Sequence, residues 1–550
     1  MKEIMHCFQY KEDVKRTNCN TESPNDKKRN TSSLMNLLLF IVQGISTTAN
    51  ELRIHDIKID KATNTFLIDA LFTTIANVCF DNDHIIESIE KGIEKRNALI
   101  TIAQKKKIEL PKIDSIQWNG TTDTFIEKGL TVDLFNEEDK DLYAFKKLII
   151  YGLKGIAAYT SETVGLGYED ETINQFIQKT FSVLATKTFT LDELISLTLE
   201  TGKNGVRAMA LLDEANTNHF GNPEMTRINV GVGTNPGILV SGHNLKDLED
   251  LLIQTEGAGI DIYTHSEMLP GNYYPELKKY KHLKGNYGNS WWLQRAEFET
   301  FNGPILLTSN YIIPPLSSAT YNKRIYTTNL ANYPGWKHIK SDDQGKKDFS
   351  EIIAQAKSCA LPIEIERGNL IGGFAHHQMM QLSDQIIKAV KSGAIRKFVV
   401  MGGCEGRMGS KTSDTNNTKA LPNDIIIVTA GCAKYRFNKL ALGSINGIPR
   451  VLDIGQCNDI YSLVVCAQKF KELFQVNDIN DLPIVYKFAW YEQKAVIVLL
   501  ALLSLGIKKI HIGEASPAFF STNIISTLIG RFNLQNVDAI DEDLKLFIES

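Results

Sequence analysis

No apolar stretch of this sequence reaches the ~20 residues that a bilayer-spanning helix needs. The richest runs, residues 37–42 and 495–505, are of core length. Ahead of residue 30, Glu3, Glu12 and Asp13 mix with lysines and no apolar segment stands out. Neither a secretory signal nor an acid-poor transit peptide is supported, and the cytoplasm is the expected compartment. Cysteine is scarce, eight in 550 residues and widely scattered, which excludes a disulfide framework and leaves buried thiols, redox chemistry or metal ligation. An excess of one charge sign is missing too, since 60 basic and 64 acidic residues leave a formal charge of -4. That gives no electrostatic footprint for nucleic acid, and Lys105, Lys106 and Lys107 read as a solvated helix face. A small-molecule partner is favoured, with no nucleic acid and no membrane.

What is present is an ordinary globular composition, 43% apolar and 23% charged, in a chain long enough for roughly two to four domains. The first part reads as a helical bundle: Leu142, Phe145, Ile149, Leu153 and Ile156 recur in steps of three and four, and Thr190 with Glu193 forms a capping box before Leu194, Ile195 and Leu197. From Asn222 onward the texture changes to short apolar runs separated by amphipathic helices, the alternation expected of parallel βαβ units. The runs are residues 237–241, 260–264, 304–309, 397–401, 424–429, 449–453 and 483–489. The expected architecture is a helical domain over residues 1–224, then α/β domains with mainly parallel sheets over 225–360 and 361–550.

The residues that follow these runs carry the chemistry. His243 and Glu267 follow the first two, Cys404, Cys432 and Cys457 the fourth to sixth, and Glu492 the last. In open α/β sheets ligands bind beyond the carboxyl ends of the strands, and the steps from His243 to Glu267 and from Cys404 through Cys432 and Cys457 to Glu492 each suit one βαβ repeat of ~30 residues. Each cysteine has a glycine within two positions before it, as in Gly402-Gly403-Cys404, Ala430-Gly431-Cys432 and Gly455-Gln456-Cys457, and glycine lets backbone approach a bulky ligand. Thiolates mixed with imidazole and carboxylates suit iron with sulfide and oxygen bridges better than magnesium or calcium. The paired Cys-x-x-Cys spacing usual for structural zinc is absent. The bland alternative is a set of buried, weakly polar residues at tight turns. Cys79, Cys359 and Cys466 read as core or structural, and His376 and His377 as loop residues with a surface or packing role. The glycines of residues 229–237 precede a strand instead of following one, which argues against a phosphate loop.

At these positions the sequence resembles the hybrid-cluster protein family, also called the prismane or hydroxylamine reductase family. The matching stretches are Ile238-Leu-Val-Ser-Gly-His243, Tyr263-Thr-His-Ser-Glu267, Gly402-Gly-Cys404, Cys432-Ala-Lys-Tyr-Arg-Phe437, Arg450-Val-Leu-Asp-Ile-Gly-Gln-Cys457-Asn-Asp459 and Trp490-Tyr-Glu492-Gln-Lys494. The resemblance implies that His243, Glu267, Cys404, Cys432, Cys457 and Glu492 bind a hybrid iron-sulfur-oxygen cluster, Cys404 as a persulfide, with Lys494 as a catalytic group beside it. It implies reduction of hydroxylamine to ammonia, or of a related nitrogen oxide or peroxide, with electrons from an unidentified donor protein. Two departures stand out. Tyr311 occupies the place of a seventh ligand cysteine, and a phenolate is a hard, bulky substitute for a thiolate in a sulfide-bridged cluster. Of four N-terminal cysteines expected for a conventional 4Fe-4S cluster only Cys7 and Cys19 remain, with Tyr10 at one vacant place, so that cluster is expected to be absent. These losses also motivate an alternative, a catalytically impaired paralogue that keeps the fold and a partial metal site.

Overall fold

The computed structural model describes residues 29–309, 311–403, 422–489, 492–512 and 522–536. Its first third is helical. Asp60, Asp81, Asp139 and Asp170 each accept a backbone N–H in the first turn of the helix that follows, which satisfies donors the helix itself leaves open. The expected capping box is there: Thr190 and Glu193 bond reciprocally at the start of the helix Leu191–Phe220. In the helix Lys140–Val164 the face of Phe145, Ile149, Leu153 and Ile156 is buried, as its spacing requires.

Against the expectation that no stretch reaches spanning length, the helix Arg29–Ile54 is long and apolar enough to cross a membrane, but 94% of its most apolar window is buried inside the protein. It serves as the central core helix of the bundle, packed on the helices Asn82–Lys105 and Glu171–Thr186.

All seven apolar runs contain strands. In one six-stranded parallel sheet Gly237–Ser241 lies between Asp261–His265 and Ile305–Leu307. In a second, Lys397–Gly403 lies between Ile425–Ala430 and Ile484–Ala489, with Val451–Gly455 at the edge beyond Ile425–Ala430. A short antiparallel pair, Thr226–Asn229 with Asn369–Gly372, ties the start of the first α/β region to the start of the second. Strands such as Leu283–Asn286, Ile325–Thr328 and Ile510–Ile512 carry too little apolar length to stand out in sequence.

Two local expectations are corrected. Cys79 is fully buried, as a core cysteine should be, but it sits in an isolated bridge to Asn332 and not in a helix. His376 and His377 open the short helix His376–Gln381 instead of lying in a loop, with the backbone N–H of His376 donating to Ser462 Oγ.

The apolar helix Gln493–Ser504, far along the chain, packs between the helices Lys140–Val164 and Leu191–Phe220. Small residues permit it: a Cβ on Gly202 would come within 2.0 Å of Leu500 O, and one on Gly155 within 2.8 Å of Gln493 O. This insertion carries the chain just after Glu492 into the bundle, and so fixes one side of the site. Gly202→Ala should force the helices apart and cost about 1 to 3 kcal/mol, read as a lower denaturant midpoint for loss of the helical signal. A second test concerns Asp69, whose carboxyl is pushed up to about 6 by burial, with a 3.0 Å hydrogen bond from Ser161 Oγ opposing. A carboxyl raised in the folded state stabilises below its ordinary range, and that stability is lost as pH rises through about 6. Wild type should therefore lose stability over that interval, and Asp69→Asn should flatten the loss.

Candidate metal centre

The two parallel sheets present their carboxyl ends to one another. In the first, Ser241 and His265 are paired across neighbouring strands, and two residues beyond each strand end stand His243 and Glu267. In the second, Ala430 pairs with Gly455, and two residues beyond each stand Cys432 and Cys457. The turns need glycine: Gly431 has φ +71°, and Gly455 has φ +135° with a would-be Cβ 1.9 Å from Asp459 Oδ2. At Gly431 it is the left-handed backbone that favours glycine, and at Gly455 a side chain would also collide with Asp459.

His243 Nε2 lies 3.5 Å from Glu267 Oε2 and 3.7 Å from Cys457 Sγ, and one donor atom from each of the three residues falls within 4.8 Å of the others. All are essentially out of solvent, at 2% or less. Ser309 Oγ accepts from the His243 backbone N–H at 2.9 Å and meets its Nδ1 at 3.0 Å, which turns Nε2 toward the pocket. The backbone N–H of Cys457 donates to Glu267 Oε2 at 3.1 Å, while Oε1, also buried, has no hydrogen-bond partner among the described residues. Cys432 is fully buried with Ser266 Oγ 3.5 Å from its sulfur. Glu492 occupies the N-cap position of the helix Gln493–Ser504 and is 3% exposed; it stands outside the three-donor group, but its charge reaches Cys457. Cys404, Cys7, Cys19 and Tyr10 lie outside the described residues.

The electrostatics follow from burial and two lysines. Burial would raise the Glu267 carboxyl, but the His243 hydrogen bond and the Lys434 ammonium hold it down to about 2. His243 is lowered to about 4, first by burial and then by the Lys494 ammonium, which favours the neutral imidazole. Burial pushes both thiols well up; Lys494 opposes this at Cys457, and the Glu267 charge adds to it at Cys432. Buried thiols of that kind ionise readily only against a metal. An orphaned carboxylate oxygen, a neutral imidazole and two thiols in one water-excluding pocket thus fit an iron-sulfur group at these four residues.

Tyr311, 2% exposed, does not present a thiolate. Its ring is stacked between Trp291, at 5.4 Å and 11°, and His243, at 5.5 Å and 30°. Its φ of +74° is unusual for a bulky residue, and Gln294 Nε2 donates to its carbonyl at 2.7 Å. Lys494, 1% exposed, places Nζ 5.9 Å from the centres of the Tyr311 and Phe72 rings.

Several residues that organise the pocket lie in the matching stretches without having been singled out there. Gln456 Nε2 donates to both His243 O and Glu267 O at 2.9 Å, clamping the two loops of the first sheet to the second. Tyr435 Oη donates to Ser266 O at 2.8 Å. Lys434, fully buried, donates to Gly455 O at 2.6 Å and lies 3.2 Å from Asp453 Oδ1, whose other oxygen accepts from Tyr273 Oη at 2.5 Å. Apart from Tyr273, the sequence signal for them is their place in the stretches around Cys432 and Cys457.

The model of the Prismane/CO dehydrogenase family matches residues 7–545. A hydroxylamine reductase of Porphyromonas gingivalis is 51% identical over 549 residues, covering 100% of both chains, and one of Bacteroides fragilis is 53% identical over 545 residues, covering 99% of both. Among solved structures, carbon monoxide dehydrogenase IV from Carboxydothermus hydrogenoformans superposes with a TM-score of 0.58 at 16% identity, covering 100% of this chain and 93% of that one. The Ni-free carbon monoxide dehydrogenase from Thermococcus sp. AM4 gives 0.58 at 15% identity, covering 96% and 87%. At such identity these two show a shared fold.

The Lys434 cluster yields a stability test. Lys434→Met should leave Asp453 charged and buried and cost about 3 to 5 kcal/mol, whereas Tyr273→Phe removes one hydrogen bond and should cost about 1 to 3 kcal/mol. Thermal and denaturant unfolding of the two variants checks that order.

Proposed function

This chain belongs to the Prismane/CO dehydrogenase family, and from that membership and the donors of its pocket we propose an iron-sulfur oxidoreductase of the hydroxylamine reductase type. It reduces hydroxylamine to ammonia, or a related small nitrogen oxide or peroxide, in the cytoplasm with electrons from a separate donor protein. The observation that carries the reading is the burial of His243, Glu267 and Cys457 within 4.8 Å of one another, with Cys432 beside Glu267. Relatives named hydroxylamine reductase at 51% and 53% identity support it.

His243, Glu267, Cys432 and Cys457 would hold a hybrid iron-sulfur-oxygen cluster, joined by Glu492 and by Cys404. When bound, that group supplies electrons and Lewis acidity. The protein supplies the rest. Ser309 orients the imidazole, the pocket walls exclude water, and Lys494 holds a proton beside the site for the nitrogen or oxygen released as the N–O bond breaks. The ammonium also favours the thiolate of Cys457. At the N-terminus, Cys7 and Cys19 alone do not suffice for a conventional four-iron cluster.

Anaerobic reconstitution with iron and sulfide should load the protein, and loaded protein should oxidise a reduced viologen dye in a hydroxylamine-dependent manner. A chain that stays metal-free and inactive would overturn this reading.

One observation favours a second reading, an impaired paralogue with a partial metal site: the Tyr311 ring is wedged between Trp291 and His243. Tyr311→Cys separates the two. If the chain is impaired at this ligand, the substitution should raise iron per chain and create activity, against a cavity cost of about 3 kcal/mol where nothing fills the vacated ring. If wild type already holds a full cluster and the variant is slower, the tyrosine is an adaptation of a working enzyme.

A further inference from the structure

A column of aromatic rings leads away from the pocket. Trp291 and Trp292 are neighbours in the short helix Trp291–Leu293, whose tight winding of about three residues per turn sets successive side chains roughly 120° apart. One ring therefore goes inward and the other outward: Trp291 is 1% exposed and Trp292 half-buried. The Trp292 ring meets Trp291 edge to face at 6.0 Å, Trp291 lies nearly parallel to Tyr311 at 5.4 Å, and Tyr311 stacks on His243 at 5.5 Å. All three separations fall in the contact range of paired rings, about 4.5 to 7 Å.

The spacing is held by packing and by one side chain. Trp291, Tyr311, Ile313 and Cys432 make a hydrophobic cluster of their own, with Trp292 packed against it. Gln294, two residues after Trp292, donates from Nε2 to Tyr311 O at 2.7 Å and accepts from the Ile313 N–H at 3.4 Å, which keeps the tyrosine segment in register with the tryptophan pair. Electron tunnelling falls off exponentially with distance and is faster through touching rings than across a gap. The column thus couples a half-exposed indole to a pocket otherwise closed to solvent. With only Cys7 and Cys19 left for an N-terminal cluster, electrons need such a way in.

We propose that Trp292, Trp291 and Tyr311 form an electron relay between a reduced electron-carrier protein docked at Trp292 and the pocket at His243. Each electron delivered oxidises the carrier by one electron and leaves the rings as they were, with no bond made or broken in the column. Reduction of hydroxylamine to ammonia and water takes two electrons and two protons, so the relay is used twice per turnover, and the protons do not travel through it. The inference rests on the pocket being where electrons are consumed, but the coupling between rings exists without metal, so it and the proposed activity fail separately.

The test is pulse radiolysis of the full-length, metal-free chain with azide radicals, which take one electron from indole and become azide. The Trp292 indole proton goes to solvent; the electron that refills Trp292 comes from Tyr311, which releases its phenolic proton as Trp292 takes one back. Expected is conversion of indolyl to phenoxyl radical at a rate independent of protein concentration. The ring centres of Trp336 and Tyr333 lie 4.3 Å apart, a pair able to form a phenoxyl of its own, so every measurement is made in a Trp336→Phe background. There, Tyr311→Phe should remove the relay's share of the phenoxyl, and Trp291→Phe and Trp292→Phe should each remove the same share. In the loaded protein without substrate, Trp292→Phe should slow reduction of the iron-sulfur group by a reduced viologen dye, followed by visible absorbance, at unchanged iron per chain. Undiminished phenoxyl in Tyr311→Phe or in Trp292→Phe would overturn the relay, as would an unchanged rate of reduction in loaded Trp292→Phe.

Discussion

The hydrogen bonds from Gln456 Nε2 to the carbonyls of His243 and Glu267 are the constraint on which the site depends. They join two sheets that have no strand in common, and they do so where backbone leaves regular structure and most needs partners. Because the clamp is made by the residue just before Cys457, placing the side chain also places the thiol. Loop register in one sheet is thereby locked to loop register in the other, and His243 Nε2 and Cys457 Sγ, more than 200 residues apart in the chain, come to 3.7 Å.

Burial then sets the chemistry. Each group in the pocket has lost water, so its protonation is decided by its neighbours: Glu267 stays ionised because His243 and Lys434 face it, and His243 stays neutral because burial and Lys494 oppose a positive charge. The thiols pay the desolvation penalty without a full counter-charge from protein. A pocket left in that electrostatic state is poised for a cation, which connects the packing of the two sheets to the chemistry proposed for it.

Tyr311 holds the place where the family resemblance implies a ligand cysteine, and packing holds its ring there. Trp291 and Gln294, both from the segment just before the strand Ile305–Leu307, hold the ring and its carbonyl, and the backbone takes a left-handed conformation that a tyrosine tolerates only under such support.

Much of this was legible in the chain itself. The apolar runs located the strands because a strand buried on both faces must be continuously apolar, the capping box at Thr190 fixed a helix start by local hydrogen bonding alone, and the periodic spacing of ligand-type residues after strands marked His243, Glu267, Cys432 and Cys457. Membership of a family was readable from the same stretches. Only the tertiary structure decided that the segment after Glu492 folds back into the helical bundle, that Gln456 is the clamp, that Lys434 is buried against Asp453, and that Tyr311 stacks on the imidazole. These are contacts between residues far apart in sequence. A hydrogen bond or ring stack across such a distance leaves no periodicity or motif behind, because it depends on where two separately formed elements come to rest.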